Sequence, residues 1–393
     1  DGMGDLTKAV FESVIQNYGK SELLTRLSDP NWFQALGSVA GMQYNSSGVT
    51  AAVLGSVRRK INPIAKDLGI YVLGGKGKRA WYAPSQITKV SDTHGLDGNA
   101  LVRSCELARR VDNNAIQDGY NLYQQHFMLS DEGEWTGINQ GMDVGTRRAR
   151  RYHMHSPTVR SFVDDPHTGI VGERGDNVIN LADARAAKSR KNIVEVSQTS
   201  PDEVIKAVRS MDFDDRHDVR TGDVDLKKLG AVLAMSHGKG IEDFEDLLLL
   251  KGVGPRTLRA LAMASELIHG DSSRFEDPAR FSFAVGGKDG RPYPIDKEAL
   301  SETINHLQDS VEQSKLGYSE KSRALKRLHR ATRQIEDTRA PEANLDALEN
   351  AEWDHAEQSG GMTFMGKVVP KVTKAVVGLQ NSLLYNKRNG HAR

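Results

Sequence analysis

The sequence predicts an α+β fold that is mostly α-helical, with a small β-hairpin or sheet in its first half. Two patterns support this prediction. Segments of helical length, with apolar residues three and four positions apart, recur along most of the 393 residues. Segments with strand-like alternation are short and lie before residue 182. We therefore expect a helical second half.

Residue patterns place the individual elements. Helices are predicted near residues 5–18, 20–28, 50–67, 98–110, 112–125, 144–154, 181–190, 201–210, 225–236, 240–250, 255–269, 297–314 and 319–337. Strands are predicted at 70–75, 126–131 and 134–141, with two weaker segments between 169 and 181. The strands at 126–131 and 134–141 are expected to form a hairpin across Asp131, Glu132 and Gly133. Its inward-facing residues are expected to be Phe127, Leu129, Trp135 and Ile138.

Composition indicates a soluble globular protein, with 38% hydrophobic and 27% charged residues. The longest apolar runs, such as LLLL at 247–250, are too short to span a bilayer, and no signal-like segment opens the chain. We therefore expect no membrane association and a cytoplasmic location. The single cysteine, Cys105, excludes an internal disulfide framework and a multi-cysteine zinc site.

A glycine turn interrupts the apolar run LLLLKGVGPRTLRALA at 247–262. Gly252 and Gly254 can adopt backbone angles closed to other residues and let a ligand approach the main chain. Pro255 suits the first position of a helix, whose free amides and dipole favour an anion. The residues expected to contact a phosphate here are Lys251, Gly252, Gly254, Arg256 and Thr257.

This order of helix, KGVG turn and second helix resembles the helix-hairpin-helix element of DNA repair proteins. In that element the turn holds a backbone phosphate of double-stranded DNA without reading the sequence. The alternative is an ordinary C-cap glycine followed by a packed helix, because the second helix offers a continuous apolar face. We favour DNA binding, since a cation and a hydroxyl stand where the phosphate would lie.

Charge and composition divide the chain into four parts. Residues 1–190 are expected to form a mixed α/β domain that carries catalysis, and the polar, acidic stretch 191–224 a linker. Residues 225–337 are expected to form a helical DNA-binding domain, and 338–393 a linker with a basic tail. Because the net charge is only +1, nucleic-acid binding has to depend on local clusters, such as the arginines of TRRARRYHMHSPTVR at 146–160.

Several long stretches resemble one protein family. They include LSDPNWFQALGSVAGMQYNSSGVTAAV, LGIYVLGGKGK, RRVDNNAIQDGYNLYQQHFML, DPHT, LLLLKGVGPRTLRALAMASELIHG and DPARFSFAVGGKDGRPYPID. In this order they resemble the archaeal and bacterial family catalogued as domain of unknown function 763, from about Leu24 to Leu328. The resemblance implies an ordered set of motifs. It does not assign an activity. Asn45 and Val285 stand where histidine is expected in relatives, and relatives usually begin with a longer segment than the one that starts at Asp1.

The densest polar chemistry lies between residues 112 and 153. Asp118 is predicted in a helix, Gln140 at a strand end, and His153 in a basic helix that also carries Arg147, Arg150 and Arg151. Polar residues at a strand end that faces a cationic helix are a common way to assemble a site. Asp118 would act as general acid or base, Gln140 would orient water or a base edge, and Arg151 or His153 would stabilise negative charge. The alternative is a solvated basic helix with Asp118 as an ion-pair partner.

Two glycine-lysine segments, GGKGKR at 74–79 and GGKDGR at 286–291, offer loop amides and a cation, but neither has the spacing of a P-loop. Lys76 and Lys288 are expected either to contact a nucleic-acid backbone or to lie in plain turns. A metal site could combine the histidines with Asp164 and Asp165, since DDPHT offers hard oxygen ligands beside an imidazole. The histidines in question are His126, His153, His155, His167 and His217. Their spacing matches no known zinc pattern, and we expect no metal or other cofactor.

The function that these patterns favour is base removal from DNA by a monofunctional glycosylase, which leaves an abasic site. INQG at 138–141 looks like the water-positioning loop of uracil-type glycosylases, and Asp271 and Asp277 lie at distances beyond the turn where helix-hairpin-helix glycosylases carry a catalytic aspartate. A flipped base would stack on Tyr120, Trp135 or Tyr152. The sequence leaves open whether the reaction serves repair or defence against modified viral DNA.

Two alternatives remain. A nuclease would use Asp118, Asp164, Asp165 and His167 around a divalent ion. A DNA or RNA clamp would bind through the same turn and carry out no reaction.

Overall fold

A computed structural model of the chain describes residues 2–42, 48–143, 148–175, 178–210, 226–273, 275–279 and 297–338. The chain divides into two units, Asp1–Arg333 and Gln334–Arg393, and the first unit contains the sheets and the helices that cover them. Helices dominate the described residues, and strands form one five-stranded and one two-stranded sheet. The predicted class, α+β and mostly α-helical, is confirmed.

Helices alone precede the first strand. In the described part of the chain they are α1 (Gly2–Tyr18), α2 (Lys20–Ser28), α3 (Pro30–Val39), α4 (Gly48–Ile61) and α5 (Ala65–Leu68). The Asp29 side chain caps α3 by accepting a hydrogen bond from the Asn31 amide at 2.8 Å, and Pro30 takes the first helical position. Helix α3 was not predicted from the residue patterns, although Asp29 followed by Pro30 is a typical start of a helix.

The central sheet is antiparallel, with its strands in the order β1, β3, β4, β5, β6. They are β1 (Ile70–Lys76), β3 (Asn121–Ser130), β4 (Trp135–Met142), β5 (Ala149–His155) and β6 (His167–Val171). A second sheet pairs β2 (Ile116–Gln117) with β7 (Ile179–Asn180). The predicted hairpin is confirmed, because β3 and β4 pair with Leu129 opposite Trp135.

Both faces of the central sheet are buried. On the face that we call the first face, Val72, Met128 and Ile138 pack with apolar residues of α1 to α4. On the opposite, second face, Phe127 and Trp135 belong to a core that extends into the later helices. Since successive residues of a strand point to opposite sides, Phe127, Leu129 and Trp135 face the second core and Ile138 faces the first.

Two predicted helices are strands instead. The segment 144–154 contributes β5, and 112–125 contributes one π-helical turn (Val111–Ala115), β2 and the start of β3. In β5 the residues of both faces are buried and mostly polar. The alternation of apolar and polar residues that reveals a half-exposed strand is therefore missing from the sequence.

The second face is covered first by α6 (Ala83–His94) and α7 (Gly98–Arg110), of which α6 was not predicted. The later helices are α8 (Ala187–Gln198), α9 (Pro201–Ser210), α10 (Leu226–Lys239), α11 (Phe244–Leu249), α12 (Pro255–His269), α13 (Lys297–Gln313) and α14 (Tyr318–Thr338). Residues 191–210 therefore do not form the predicted linker. They lie in α8 and α9, and α8 packs against α12.

The two predicted domains share their cores. The cluster on the second face joins Leu73 and Phe127 from the first half to Leu258 and Ala279 from the second half. The cluster on the first face includes Leu307 from α13. The sheet is thus enclosed by elements from both ends of the described chain. None of the described helices combines the length and apolarity needed to cross a bilayer.

This shared core predicts that the two halves unfold together. Phe127→Ala and Leu258→Ala each remove a side chain with no solvent exposure from the same cluster. Each should lower the free energy of unfolding by about 2–5 kcal/mol and shift one common transition. Urea unfolding, followed by tryptophan fluorescence and by circular dichroism, measures this. Two separate transitions, with Leu258→Ala moving only one of them, would contradict a shared core.

Candidate active site on the second face

The sheet separates residues that the sequence placed in one site. Asn139 and Gln140 lie in the middle of β4, not in a loop at its end, so the comparison of INQG with a glycosylase loop is wrong. Asn139 points to the second face and Gln140 to the first. The same alternation in β5 sends Arg150 and Tyr152 to the second face, and it sends Arg151 and His153 to the first.

On the second face, Arg150 joins two of the predicted catalytic aspartates. Its Nη1 donates to Asp118 Oδ2 at 2.9 Å, and its two terminal nitrogens donate to the two carboxylate oxygens of Asp277 at 3.0 and 2.8 Å. The Tyr152 hydroxyl donates to Asp118 Oδ2 at 2.6 Å. We call Asp118, Arg150, Tyr152 and Asp277 the aspartate–arginine cluster. The three charged side chains are each 1% exposed.

Backbone amides complete the coordination of both carboxylates. Asp118 Oδ1 accepts from the Tyr120 amide at 3.0 Å. Asp277 accepts from the amides of Gly175 at 2.7 Å and Ala279 at 2.9 Å. Each buried charge therefore has several hydrogen-bond partners, which a buried ion pair needs to offset the cost of leaving water.

Burial controls the protonation of this cluster. It raises the pKa of Asp118 to about 6, even though the charge of Arg150 and the hydrogen bond from Tyr152 act in the opposite direction. Burial alone would lower the pKa of Arg150, but Asp118, Tyr152 and Asp277 raise it above its ordinary value. The guanidinium stays charged, and two carboxylates share one cation. Asp118 is therefore expected to take up a proton as the pH falls through about 6.

The first face carries its own buried polar group. Arg151 donates from Nε to His153 Nε2 at 2.8 Å and from Nη2 to Gln34 Oε1 at 3.1 Å. Burial and the neighbouring charge of Arg151 hold the pKa of His153 well below its usual range. Gln140 bonds the Tyr123 hydroxyl. Gln140 and His153 therefore lie across the sheet from Asp118 and do not form one site with it.

A second pair lies beside the aspartate–arginine cluster. Asp112, on the π-helical turn after α7, bonds His167 Nε2 through Oδ1 at 2.6 Å and accepts from Asn139 Nδ2 through Oδ2 at 2.7 Å. The His167 ring lies 6.0 Å from that of Tyr152. π-Helical turns occur frequently at functional sites, because they re-aim one side chain out of the helix repeat.

A cleft opens at His167. The cleft is small, with a volume of about 30 Å³, which is room for one or two water molecules. It is lined by Ile116, Asp165, His167, Gly169, Ile170, Asn180, Ala182 and Pro278. Asp165 is exposed and has a φ of 51°, the one positive value at a non-glycine residue in the described chain. Such strain costs about 1–3 kcal/mol and persists where the surrounding structure imposes it, often at functional sites. Pro278 follows Asp277, so the cleft adjoins the aspartate–arginine cluster.

The glycine turn is fixed to the segment that leads into this cleft. Arg110 Nη1 and Asn114 Nδ2 donate to the Val253 carbonyl at 2.9 and 3.3 Å. Gln117 Nε2 donates to the Pro255 carbonyl at 3.1 Å. Gln117 follows Ile116, which lines the cleft, so the turn and the cleft share one short stretch of chain.

From the sequence, either Gly252 or Gly254 could adopt a positive φ, and the residue that does so is Gly252. Gly252 has a φ of 95°, whereas Gly254 is extended, with φ −126° and ψ 179°. Lys251 and Arg256 are exposed on either side, and Thr257 is buried. The first helix before the turn is short, because α11 begins at Phe244 after the capping side chain of Asp243 and not at 240.

Several other predicted residues lie apart from the cleft. Asp271 bonds Lys188 and Asn192 at 2.8 and 2.6 Å on the surface of α8. Lys76 is exposed at the end of β1. Arg147 and Lys288 lie outside the described residues, as do Asn45 and Val285.

The predicted base-stacking and arginine contacts need correction. Trp135 is buried between Phe127 and Phe162, and Tyr152 has no exposed surface. Tyr120 is half-buried, with the Arg150 guanidinium 4.7 Å from its ring centroid. Since Arg150 and Arg151 are also buried, none of these side chains except Tyr120 presents a surface to an incoming strand.

The proposed metal ligands are dispersed. Asp164 pairs with Arg190, Asp118 pairs with Arg150, and His167 pairs with Asp112. Within the described ranges, no three His, Cys, Asp or Glu side chains lie close enough together to hold a metal ion. His217 lies outside these ranges.

Comparison with known proteins identifies the family. The model of the family described as "Protein of unknown function (DUF763)" matches residues 1–295. The chain belongs to this family. No curated protein and no solved structure matches the chain. Asp112, Asp118 and His167 all lie within the matched range.

The Asp112–His167 pair, of which His167 lines the cleft, was only partly found from the sequence. His167 was considered as a metal ligand, and Asp112 and Asn139 were not singled out. The sequence did contain a signal for this group, because an acid (Asp112), an amide (Asn139) and an imidazole (His167) occur in three separate polar stretches. Their approach depends on strand pairing, because β5 lies between the strands that carry Asn139 and His167.

The burial of Asp118 makes stability depend on pH. Its pKa is about 6 in the folded protein and about 3.9 in an unfolded chain, so the folded state binds this proton more tightly. The carboxyl therefore reduces stability progressively as the pH rises from about 4 to about 6. Asp118→Asn should remove this loss. We expect the free energy of unfolding of the variant, minus that of the parent, to rise by about 2 kcal/mol between about pH 4 and pH 7.

Urea unfolding of both proteins at the two pH values measures this difference. Asp271→Asn is the matched control, because Lys188 and Asn192 lower the pKa of that exposed carboxyl. Its difference from the parent should not rise with pH. A flat difference for Asp118→Asn would show that Asp118 is ionised in the folded protein over the whole range.

Proposed function

We propose that the protein is a DNA-processing hydrolase, and that its reaction is the removal of a damaged or modified base to leave an abasic site. The observation that supports this proposal is the cleft, because His167 in its wall is paired with the buried Asp112 behind it. The stretch 110–117, which carries Asp112, also bonds the glycine turn through Arg110, Asn114 and Gln117. A reacting group and a site for a DNA backbone are thus connected through one short stretch of chain. The cytoplasmic location expected from the sequence fits a DNA substrate.

The Asp112–His167 pair has the geometry of a general base. When Nε2 carries the proton and donates it to Asp112, Nδ1 is free to take a proton from water. The water oxygen then bonds to the sugar carbon, the bond from that carbon to the base breaks, and the base leaves with the electron pair and takes up a proton. Asn139 holds the second oxygen of Asp112 and so fixes the carboxylate against the ring.

Asp165 supplies negative charge in the same cleft. Cleavage of a glycosidic bond passes through a sugar that carries positive charge, and a nearby carboxylate stabilises it. The positive φ of Asp165 holds its side chain at the start of the turn to Pro166 and His167. Asp118 and Asp277, which contact Arg150 and have no open path to the cleft, are proposed to position the cluster beneath it.

The glycine turn would hold the DNA backbone. The Val253 and Pro255 carbonyls accept hydrogen bonds from the protein, so this side of the turn faces inward. The amides at the start of α12 are proposed to face the other side, where the cations Lys251 and Arg256 are exposed. Helix N-termini with flanking cations bind phosphate without regard to base sequence.

Base removal and the nuclease alternative differ in what they need from the carboxylates. Asp118 and Asp164 are each engaged by an arginine, so the four side chains expected to hold a divalent ion do not converge within the described residues. This arrangement favours a reaction that uses His167, oriented by Asp112, together with Asp165, and that needs no converging set of metal ligands. The nuclease and the clamp remain outcomes that the assay below would reveal.

The first prediction from this proposal concerns product. Duplex DNA that carries a panel of damaged or modified bases, incubated with the protein in EDTA, should acquire abasic sites that alkali converts to strand breaks. His167→Gln and Asp112→Asn should lower this rate by about 100-fold or more, which is the usual contribution of a general base. His237→Gln, on the surface of α10, is the control and should keep the parental rate.

Two outcomes would reject base removal. Scission that requires magnesium or manganese would indicate a nuclease, and binding without product would indicate a clamp. Full activity of folded His167→Gln would place the reaction elsewhere even if abasic sites form.

A further prediction concerns the turn. Lys251→Ala and Arg256→Ala should weaken binding to unrelated duplexes to a similar degree, and each should reduce the salt slope of log K by about 0.9. Gly252→Val should strain the turn by about 1–3 kcal/mol because of its positive φ, whereas Gly254→Val should not. Lys191→Ala, which removes an exposed side chain from α8, is the control for the loss of one positive charge.

Filter or anisotropy titrations over a series of salt concentrations measure these slopes. A loss of affinity confined to one DNA sequence would indicate base reading. Unchanged affinity in folded Lys251→Ala and Arg256→Ala would leave the turn as a helix cap.

A further inference from the structure

Two large aromatic side chains stand exposed in a basic stretch at the end of β1. Trp81 is 69% exposed and Tyr82 is 58% exposed. They end the 3₁₀ helix Gly77–Tyr82, in which Lys78 and Arg79 are also exposed. We call Lys76, Lys78, Arg79, Trp81, Tyr82 and Arg109 the Trp81 surface. Exposed aromatic residues of this size are uncommon on a protein surface and mark interaction sites when they cluster.

The fold holds this surface in place. Gly74 has a φ of 78°, and a Cβ atom there would lie 2.4 Å from the Gln125 carbonyl oxygen, so the chain passes close to β3. Beyond this contact the chain leaves the sheet as a short helix and returns to the core at Ala83, which is fully buried. The aromatic side chains are thus presented outward by a segment anchored at both ends.

Arg109 orients the Trp81 ring. Its guanidinium carbon lies 4.7 Å from the ring centroid, in a cation–π contact. This contact restricts the ring to one orientation while most of its surface remains exposed. A ring that is already ordered loses less conformational entropy when a flat ligand stacks on it.

The surroundings are positive. Residues 74–89 contain Lys76, Lys78, Arg79 and Lys89 and no acidic residue. Burial and the charges of Arg79 and Arg59 lower the pKa of Arg58, which places further cations of α4 beside this stretch. Aromatic rings interleaved with cations are the combination that binds single-stranded nucleic acid, because bases stack on the rings and phosphates pair with the cations.

The last turn of α7 contacts both this surface and the glycine turn. Arg109 contacts Trp81, and the next residue, Arg110, donates to the Val253 carbonyl of the turn at 2.9 Å. The end of α7 therefore links the two places.

We propose that the Trp81 surface binds an unpaired segment of DNA, with bases stacked on Trp81 and Tyr82 and phosphates paired with Lys78, Arg79 and Arg109. Unpaired bases are required because the base faces in a duplex are already covered by their neighbours. This inference goes beyond base removal, since it assigns a second binding surface and a strand that is open next to the duplex. It concerns binding alone, so it holds or fails independently of the reaction.

Tryptophan fluorescence tests the surface directly, using the full chain and a 12-nucleotide oligothymidine. Of the four tryptophans, Trp32 and Trp135 are buried and Trp353 lies outside the described residues. Quenching that is present in the parent and lost in Trp81→Phe is therefore the part assigned to Trp81. Trp81→Ala and Tyr82→Ala should each weaken binding of this oligonucleotide by about 5- to 150-fold, the usual effect of one lost stacking contact. Tyr318→Ala, which removes an aromatic ring that is 90% exposed on α14, is the matched control and should bind like the parent.

A duplex probe separates this surface from the turn. Trp81→Ala should bind a 12-base-pair duplex within about twofold of the parent, whereas Lys251→Ala should weaken that binding. Loss of oligothymidine binding in Trp81→Ala with intact duplex binding supports the inference, whether or not abasic sites form in the base-removal assay.

Three results would overturn the inference. Oligothymidine affinity could be the same in the parent, Trp81→Ala and Tyr82→Ala. Trp81→Ala could weaken duplex and single-strand binding equally. The parent could fail to bind oligothymidine and instead bind oligouridine, or bind vesicles that contain anionic lipid, through the same residues.

Discussion

The burial of the central antiparallel sheet on both faces is the constraint on which the site depends. Since side chains alternate along a strand, each step of one residue in β4 or β5 moves a polar group from one buried layer to the other. Asn139 meets Asp112 on the second face, and its neighbour Gln140 meets Tyr123 on the first. A shift of register by one residue would exchange the two sets and leave buried charges without partners.

On the second face of the sheet, ion pairs hold the buried polar side chains together. Arg150 neutralises carboxylates from two distant parts of the chain, Asp118 after β2 and Asp277 before the undescribed segment that precedes α13. Removing the cation would leave two buried carboxylates, which costs several kcal/mol, so this ion pair ties the wall of the cleft to the strand beneath it. The same arrangement explains why two predicted catalytic aspartates converge and are nevertheless shielded from solvent. Their position supports the Asp112–His167 pair, which reaches the cleft.

The sequence predicted the fold class, most helix positions and the β3–β4 hairpin, because these depend on local periodicity. It predicted β5 as a helix, because Arg150, Arg151, Tyr152 and His153 show no alternation of polarity when both faces are buried among polar groups. It placed Gln140 and His153 with Asp118 because strand pairing, which puts them on opposite faces, is not visible in one sequence. Asp118 and Asp277 were selected for reasons of spacing, and their meeting at Arg150 is a long-range contact that no local pattern encodes.

DNA is proposed to lie across the glycine turn with one nucleotide at the mouth of the cleft beside His167. Photocrosslinking can locate it: a duplex carries a photoreactive base at a single position, opposite a mismatch that favours flipping, and crosslinked peptides are identified by mass spectrometry. We expect the base to crosslink to residues 165–170 or 278, and photoreactive groups on the adjoining backbone to crosslink to residues 251–257. Crosslinks that map instead to the exposed ends of α1 and α2, with none at the cleft or the turn, would contradict it.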